Sequence, residues 1–169
     1  MANLWAFIDE SKNSTYVLVA VVVDSREIPS LRKAVVAQRL SGQRRIHFRQ
    51  ESPIRKKRLA AKFSTLPFVL VSAVSKNPLE ISARQECILD LLGQLHRLGV
   101  ARVIFERDCS IEVNDRKFIE RTLTALGARS IEYRHEDPYY EPALWVADAA
   151  AWVVAKHLES DYGFEKRRG

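Results

Sequence analysis

Leu4-Trp5-Ala6-Phe7-Ile8-Asp9-Glu10-Ser11 is an apolar run, dense enough for a buried strand, that ends in two carboxylates and a hydroxyl. Carboxylates at the tip of a buried strand cost desolvation energy unless a metal ion or a basic group offsets it. Asp9 and Glu10 therefore need a reason to be there. One reason is a solvated hairpin head: Ser11-Lys12-Asn13-Ser14 is turn chemistry, and Tyr16 to Val23 is a β-branched returning strand apolar enough to be covered on both faces. On this stretch alone the turn is the favoured reading.

Beyond the hairpin, helical and extended patterns alternate. Pro29-Ser30 opens a helix through Leu31, Val35, Val36 and Leu40, with Gly42 as its stop. Arg45-Ile46-His47-Phe48 is short and extended and is expected as a small strand, and Ser52-Pro53 starts a helix from Ile54 to about Ser64. Leu66 to Ser75 is a further strand, ending at Lys76 and the breaker Asn77-Pro78. The next helix carries the stripe Ile81, Ile88, Leu91, Leu92, Leu95 and Leu98 and is capped by Gly99.

Val100 to Glu106 repeats the device of the first strand by ending in charge, with Arg107 and Asp108 just beyond. Glu112 to Leu126 fits a helix with Phe118, Ile119, Leu123 and Leu126 inward, and the polar stretch Arg129 to Arg134 suits an edge strand, followed by a loop at His135-Glu136-Asp137-Pro138. The last helix, about Pro142 to Leu158, is apolar on almost every side, and Asp148 is the acid at its centre. Trp145 and Trp152 lie on this helix and are expected in the core.

The whole chain of 169 residues is expected to form a single domain, 1–169, since it can bury most of its apolar surface without staples. A composition of 47% hydrophobic and 28% charged residues argues against disorder. Cys87 and Cys109 have no metal-ligand spacing and read as reduced thiols. With no apolar run near the roughly 18 residues of a membrane span and no signal-peptide pattern, a cytoplasmic protein without membrane contact is expected. The net charge of +6 is concentrated in Arg44, Arg45, Arg49, Arg55, Lys56, Lys57 and Arg58, which suits a polyanion such as nucleic acid, or else a solvated helix face with the basic tail Lys166-Arg167-Arg168.

Two strands joined by a tight turn, then strands alternating with helices, describe an α/β fold: a mixed five-stranded sheet with helices packed on its faces. In such a sheet the strands ending at Asp9 and Glu106 can run side by side and parallel, bringing their carboxylates together at the carboxyl ends, where open α/β sheets bind ligands. Asp148 is the natural third member. Inside an apolar helix it has either a hydrogen-bonded structural role or a cation to meet.

Phe7-Ile8-Asp9-Glu10-Ser11 with its following strand, Arg45-Ile46-His47-Phe48, Val74-Ser75-Lys76, and Leu144-Trp145-Val146-Ala147-Asp148-Ala149-Ala150-Ala151-Trp152 together resemble the DUF3800 family of bacterial proteins, in order and over nearly the whole chain. The resemblance implies a ribonuclease H-like (retroviral integrase superfamily) fold and metal-dependent hydrolysis of nucleic-acid phosphodiester bonds. By that resemblance Asp9, Glu106 and Asp148 are the family's acids, His47 its short-strand histidine and Lys76 the lysine after its third strand. Two departures stand out: Lys12 follows the serine where glycine is common, and Glu106 takes the place of a frequent Asp, leaving Asp108 as a competitor.

The residue types suit this chemistry, because Mg²⁺ and Mn²⁺ prefer carboxylate oxygens. Asp9 would bridge two ions, Glu106 and Asp148 would hold one each, and Glu10 is an extra ligand or a neighbour of one. His47 either moves a proton, contacts phosphate, or is a hydrogen-bonded structural histidine. Lys76, Arg55, Lys56 and Arg58 are expected on nucleic-acid phosphates. Two other classes fit the same residues: a binding module that does not cleave, and a small-molecule phosphoester hydrolase. The edge strand Arg129 to Arg134 could pair across a homodimer.

Overall fold

The computed structural model describes residues 2–164, so the tail Lys166-Arg167-Arg168 lies outside the described residues. β1 (Leu4–Lys12) and β2 (Tyr16–Asp24) pair antiparallel from Leu4 opposite Asp24 to Lys12 opposite Tyr16. The turn therefore comes later than expected, at residues 13–15. Asp9 and Glu10 sit within a paired strand, because β2 offers ladder partners all the way to Tyr16 and pairing continues as long as they last.

After α1 (Ile28–Val36) and α2 (Pro53–Phe63), β3 (Val69–Ser75) pairs antiparallel with β2. α3 (Glu80–Arg97) leads to β4 (Val100–Glu106), which enters the sheet parallel to β1 on its other side. α4 (Glu112–Ala125), β5 (Glu132–Glu136) and α5 (Ala143–Ala155) complete the chain, with β5 parallel to β4. The five-stranded sheet runs in the order β3-β2-β1-β4-β5. This is the mixed sheet expected from the sequence, with the ends of β1 and β4 adjacent.

Strand alternation sorts the core into two layers. Phe7, Val17, Val19, Val21, Val23 and Ile104 face α1, α2 and α5, while Ala6, Ile8, Leu18, Ala20, Val22, Val103 and Phe105 face α3 and α4. Asp9 follows Phe7, and Glu106 follows Ile104, by two residues. Both acids are thereby aimed at the α5 side of the sheet, and Glu10 at the α3 side. α5 lies against β1 and β2 and is buried on nearly every side, its alanines at 143, 147, 149, 150 and 151 allowing close approach to the sheet.

Several local expectations give way to tertiary contacts. Residues 45–48 are not a strand: Ile46 and Phe48 are buried anchors of a loop that ends in a 3₁₀ turn, Phe48–Gln50. α1 stops at Val36, and Leu40 is exposed in a loop whose Leu40 N–H donates to the Gln43 side chain. Ile81 and Leu98 are exposed, and the inner face of α3 is filled by Ala83, Arg84 and Cys87 as well as the expected Ile88, Leu91, Leu92 and Leu95.

β5 begins three residues later than expected. Gly127, at φ +66°, carries the chain out of α4 into turns closed by Ala128 N–H to Leu123 C=O and Ile131 N–H to Ala128 C=O, and only then does pairing start. His135 consequently lies within the strand, buried and stacked on Phe105, and not in a loop. β5 does form the sheet edge, but it is five residues long and alternates Glu132, Arg134 and Glu136 on one side. Short, charged edges resist strand addition, so the homodimer that residues 129–134 could have formed has no support in this fold.

Candidate active site

Asp9, Glu106 and Asp148 line one cavity of about 310 Å³ at the carboxyl ends of β1 and β4. Single oxygens of Asp9, Glu10 and Glu106 lie within 4.8 Å of one another. The strand pairing of Ile8 with Phe105 brings the next residues of each strand together there, and Asp148 of α5 lines the same cavity without joining that 4.8 Å group of oxygens. Asp148 is held by the backbone N–H of Phe48, which donates to its Oδ2 at 2.8 Å. That bond ties the loop carrying His47, which lines the same cavity, to the centre of α5.

The acids are crowded. Burial, a hydrogen bond with Glu106 and the charges of Glu106, Asp148 and Glu10 together push the Asp9 carboxyl well above the usual carboxylate range. Burial also raises Glu10 and Asp148, the first partly relieved by the charges of Arg84 and Lys12, the second by the Phe48 N–H and the charge of His47. The nearest cations are stretched thin. Arg45 Nη2 stands 3.5 Å from Glu106, and Arg84 Nη1 stands 3.5 Å from Glu10 while forming its closer bonds with Asp115, at 2.8 and 2.5 Å. Lys12 Nζ is 4.0 Å from Glu10 and 2.6 Å from Glu80.

The sequence matches no family model and no curated protein. Among solved structures, the chain is similar to ribonuclease H2 from Pyrococcus horikoshii OT3, with a TM-score of 0.53 and 16% identity over 95% of this chain and 77% of that one. It is likewise similar to RNase HII from Archaeoglobus fulgidus in its complex with PCNA, with a TM-score of 0.56 and 18% identity over 94% of this chain and 77% of that one. The fold is ribonuclease H-like.

Within this ribonuclease H-like fold the donor set suits a hard divalent cation. It is all carboxylate oxygen and partly buried, which suits such a cation, in contrast to the nitrogen and sulfur ligands that favour zinc. Asp108 is not part of it. Its carboxylate accepts from the Ser110 N–H at 3.0 Å and the Ser110 hydroxyl at 2.6 Å, an Asx turn that leads into α4 and holds its pKa down.

The basic residues divide differently from expectation. Arg55 is not free for phosphate: its guanidinium donates to Gln38 C=O, to Gln43 at 3.4 Å and to Glu51 at 3.3 Å, clamping the loop between α1 and α2. Lys76 is exposed beyond the end of β3 and does not line the acidic cavity, and Arg58 is exposed on the surface of α2. Lys56 lies nearer, with its ammonium 4.9 Å from the centre of the Trp152 ring.

Trp145 is core, as expected, and its Nε1 donates to Pro138 C=O at 2.6 Å. Trp152 is different. It lies one helical turn after Asp148, is half-buried and lines the cavity together with Lys12, Arg49 and Lys156. Its spacing of four residues from Asp148, which puts the two on one face of α5, is the signal that could have found it. Arg84 was not singled out as a site neighbour, because a buried arginine in a helical stripe has no periodic signature; Arg45 was read only as part of the basic cluster and the short motif before Phe48, and its contact with Glu106 is set by the loop.

No helix among the described residues is long and apolar enough to cross a membrane.

Proposed function

We propose that this chain is a divalent-metal-dependent nuclease that hydrolyses phosphodiester bonds of nucleic acid, and that it is a member of the DUF3800 family its motifs resemble. The observation that carries the reading is the convergence of Asp9, Glu106 and Asp148 in one cavity at the carboxyl ends of adjacent parallel strands. The likeness of the fold to ribonuclease H2 and RNase HII supports it.

Asp9, Glu106 and Asp148 would hold the cation, with Glu10 as a further ligand beside Asp9. When bound, Mg²⁺ or Mn²⁺ supplies activation of water and charge stabilisation at the leaving oxygen. The protein's own groups do the rest. Arg45 restrains Glu106 from the loop side, and the Phe48 N–H fixes the Asp148 carboxylate. His47, on the cavity wall, would exchange a proton with the leaving oxygen or donate to a phosphate oxygen. Arg49 and Lys156, which line the cavity with Trp152, offer the wall a nucleic-acid backbone would follow.

The test is cleavage of a panel of labelled DNA and RNA strands and duplexes in Mg²⁺, Mn²⁺ or chelator, with Asp9→Asn alongside. Cutting that needs the metal and Asp9 supports the reading and names the substrate. Salt-sensitive binding without cutting, equal in both proteins, would replace it with a binding module.

A further inference from the structure

A second pocket, about 530 Å³, adjoins the carboxylate cavity, and His47 lines both. Its walls are Gln43, Arg44, Arg45, Glu51 and Tyr139. The Arg44 and Arg45 guanidinium carbons lie 4.9 and 5.6 Å from the centre of the Tyr139 ring. Stacking on an aromatic face holds a guanidinium in place and leaves its in-plane N–H groups free for a planar or tetrahedral anion.

Those N–H groups are under-used. Arg45 Nε is buried without a hydrogen-bond partner among the described residues, and the contact of Arg45 with Glu106 is long, at 3.5 Å. Among the described residues no carboxylate lies within 4.0 Å of the exposed Arg44 guanidinium. The acid in the wall, Glu51, is already engaged by Gln43 at 2.6 Å and by Arg55 at 3.3 Å. The pocket is therefore electropositive, and the Arg55 clamp on Gln38, Gln43 and Glu51 holds its loop in shape before any ligand arrives.

We propose that this second pocket is a subsite for a non-scissile phosphate of the substrate strand, held by Arg44 and Arg45 with Tyr139 as their stacking platform. The proposal rests on the nuclease reading for the word substrate, but the anion site stands on its own geometry. Its function is register: a strand anchored there passes His47 before it meets the carboxylates, so the anchored phosphate sets which bond is presented for hydrolysis.

The experiment measures binding of a fluorescein-labelled single-stranded oligonucleotide to the full chain in EDTA over a salt series, together with kcat and KM for cleavage in Mn²⁺. Arg44→Ala is expected to weaken binding about tenfold and to reduce the slope of log affinity against log salt by about 0.7, the signature of one lost phosphate contact on a single strand. Tyr139→Phe keeps the ring and is expected to bind as wild type, whereas Tyr139→Ala weakens binding. In cleavage the loss falls on KM more than on kcat. An oligonucleotide series with one neutral methylphosphonate at successive linkages adds the position: at one linkage wild type loses about tenfold and Arg44→Ala loses nothing further.

Unchanged affinity and slope in Arg44→Ala, or a wild-type chain that binds no oligonucleotide, overturns the subsite. The two readings separate cleanly. A wild-type chain that binds with the Arg44 effect and cuts nothing keeps the anion site and removes the nuclease. One that cuts with KM unmoved by Arg44→Ala keeps the nuclease and removes the subsite.

Discussion

The Phe48 backbone N–H donates to Asp148 Oδ2 at 2.8 Å, joining a loop and a helix 100 residues apart at the acid that the site reading needs most. The other carboxylate oxygen of Asp148 has no hydrogen-bond partner among the described residues. Asparagine can accept the Phe48 N–H but carries no charge. Asp148→Asn is expected to fold with a melting temperature near wild type and to lose cleavage by roughly a hundredfold or more. Asp148→Ala leaves that N–H without its acceptor and is expected to cost a further 1–3 kcal/mol, roughly, in urea denaturation.

Asp9 gives the site a pH signature. An acid whose folded-state pKa lies above its unfolded value binds more protons folded than unfolded between the two values. Stability is then full below the unfolded value and falls as pH rises through the folded one. Asp9 is raised well above its ordinary 3.8, by burial first and by its hydrogen bond with Glu106 next. In chelator, the difference in melting temperature between Asp9→Asn and wild type is expected to grow in favour of the mutant as pH climbs from 3.8 through the raised value. Thermal scans at stepped pH measure it, and a difference that stays flat would contradict the assignment.

Arg55 and Arg58 look alike in sequence and should behave oppositely. Arg55 clamps the loop through Gln38, Gln43 and Glu51, and Arg55→Ala is expected to cost about 1–3 kcal/mol with some loss of activity, because His47 rides on that loop. Arg58 is exposed on α2, and Arg58→Ala is expected to change stability by less than about 0.5 kcal/mol. Urea denaturation of both variants separates the roles.

The two thiols are free and unlike. Cys109 is exposed, whereas Cys87 is buried on the inner face of α3 and pushed up to about 11, chiefly by burial. A disulfide exchange reagent at mildly alkaline pH is expected to titrate Cys109 at once and Cys87 only on denaturation, since the thiolate is the reacting form. Fast reaction of both in the native chain would contradict the packing of α3.

The strands and helices were legible where hydrophobic period and Gly or Pro punctuation agreed, as in Val100–Glu106, whose bounds match the pattern. That Asp9 and Glu106 come together was legible from topology, because parallel neighbours share an end. The loop of residues 37–52 was not legible, since Arg55, Gln43 and Asp148 shape it through side-chain bonds that leave no periodic trace. For the same reason Arg84, which looks like one polar residue in an apolar stripe, is a buried hub contacting Asp115, Tyr16 and Glu10. His135 was misplaced because the turn out of α4 delays β5, a shift decided by three-dimensional closure and not by propensity.

The central claim is that Asp9, Glu10, Glu106 and Asp148 are gathered to hold a divalent cation. Calorimetric titration of the chelator-treated protein with Mn²⁺, in wild type and Asp9→Asn, tests it most directly. Saturable binding in wild type that is lost in a folded Asp9→Asn is the expected result. Equal binding in both proteins, or none in wild type, would contradict it.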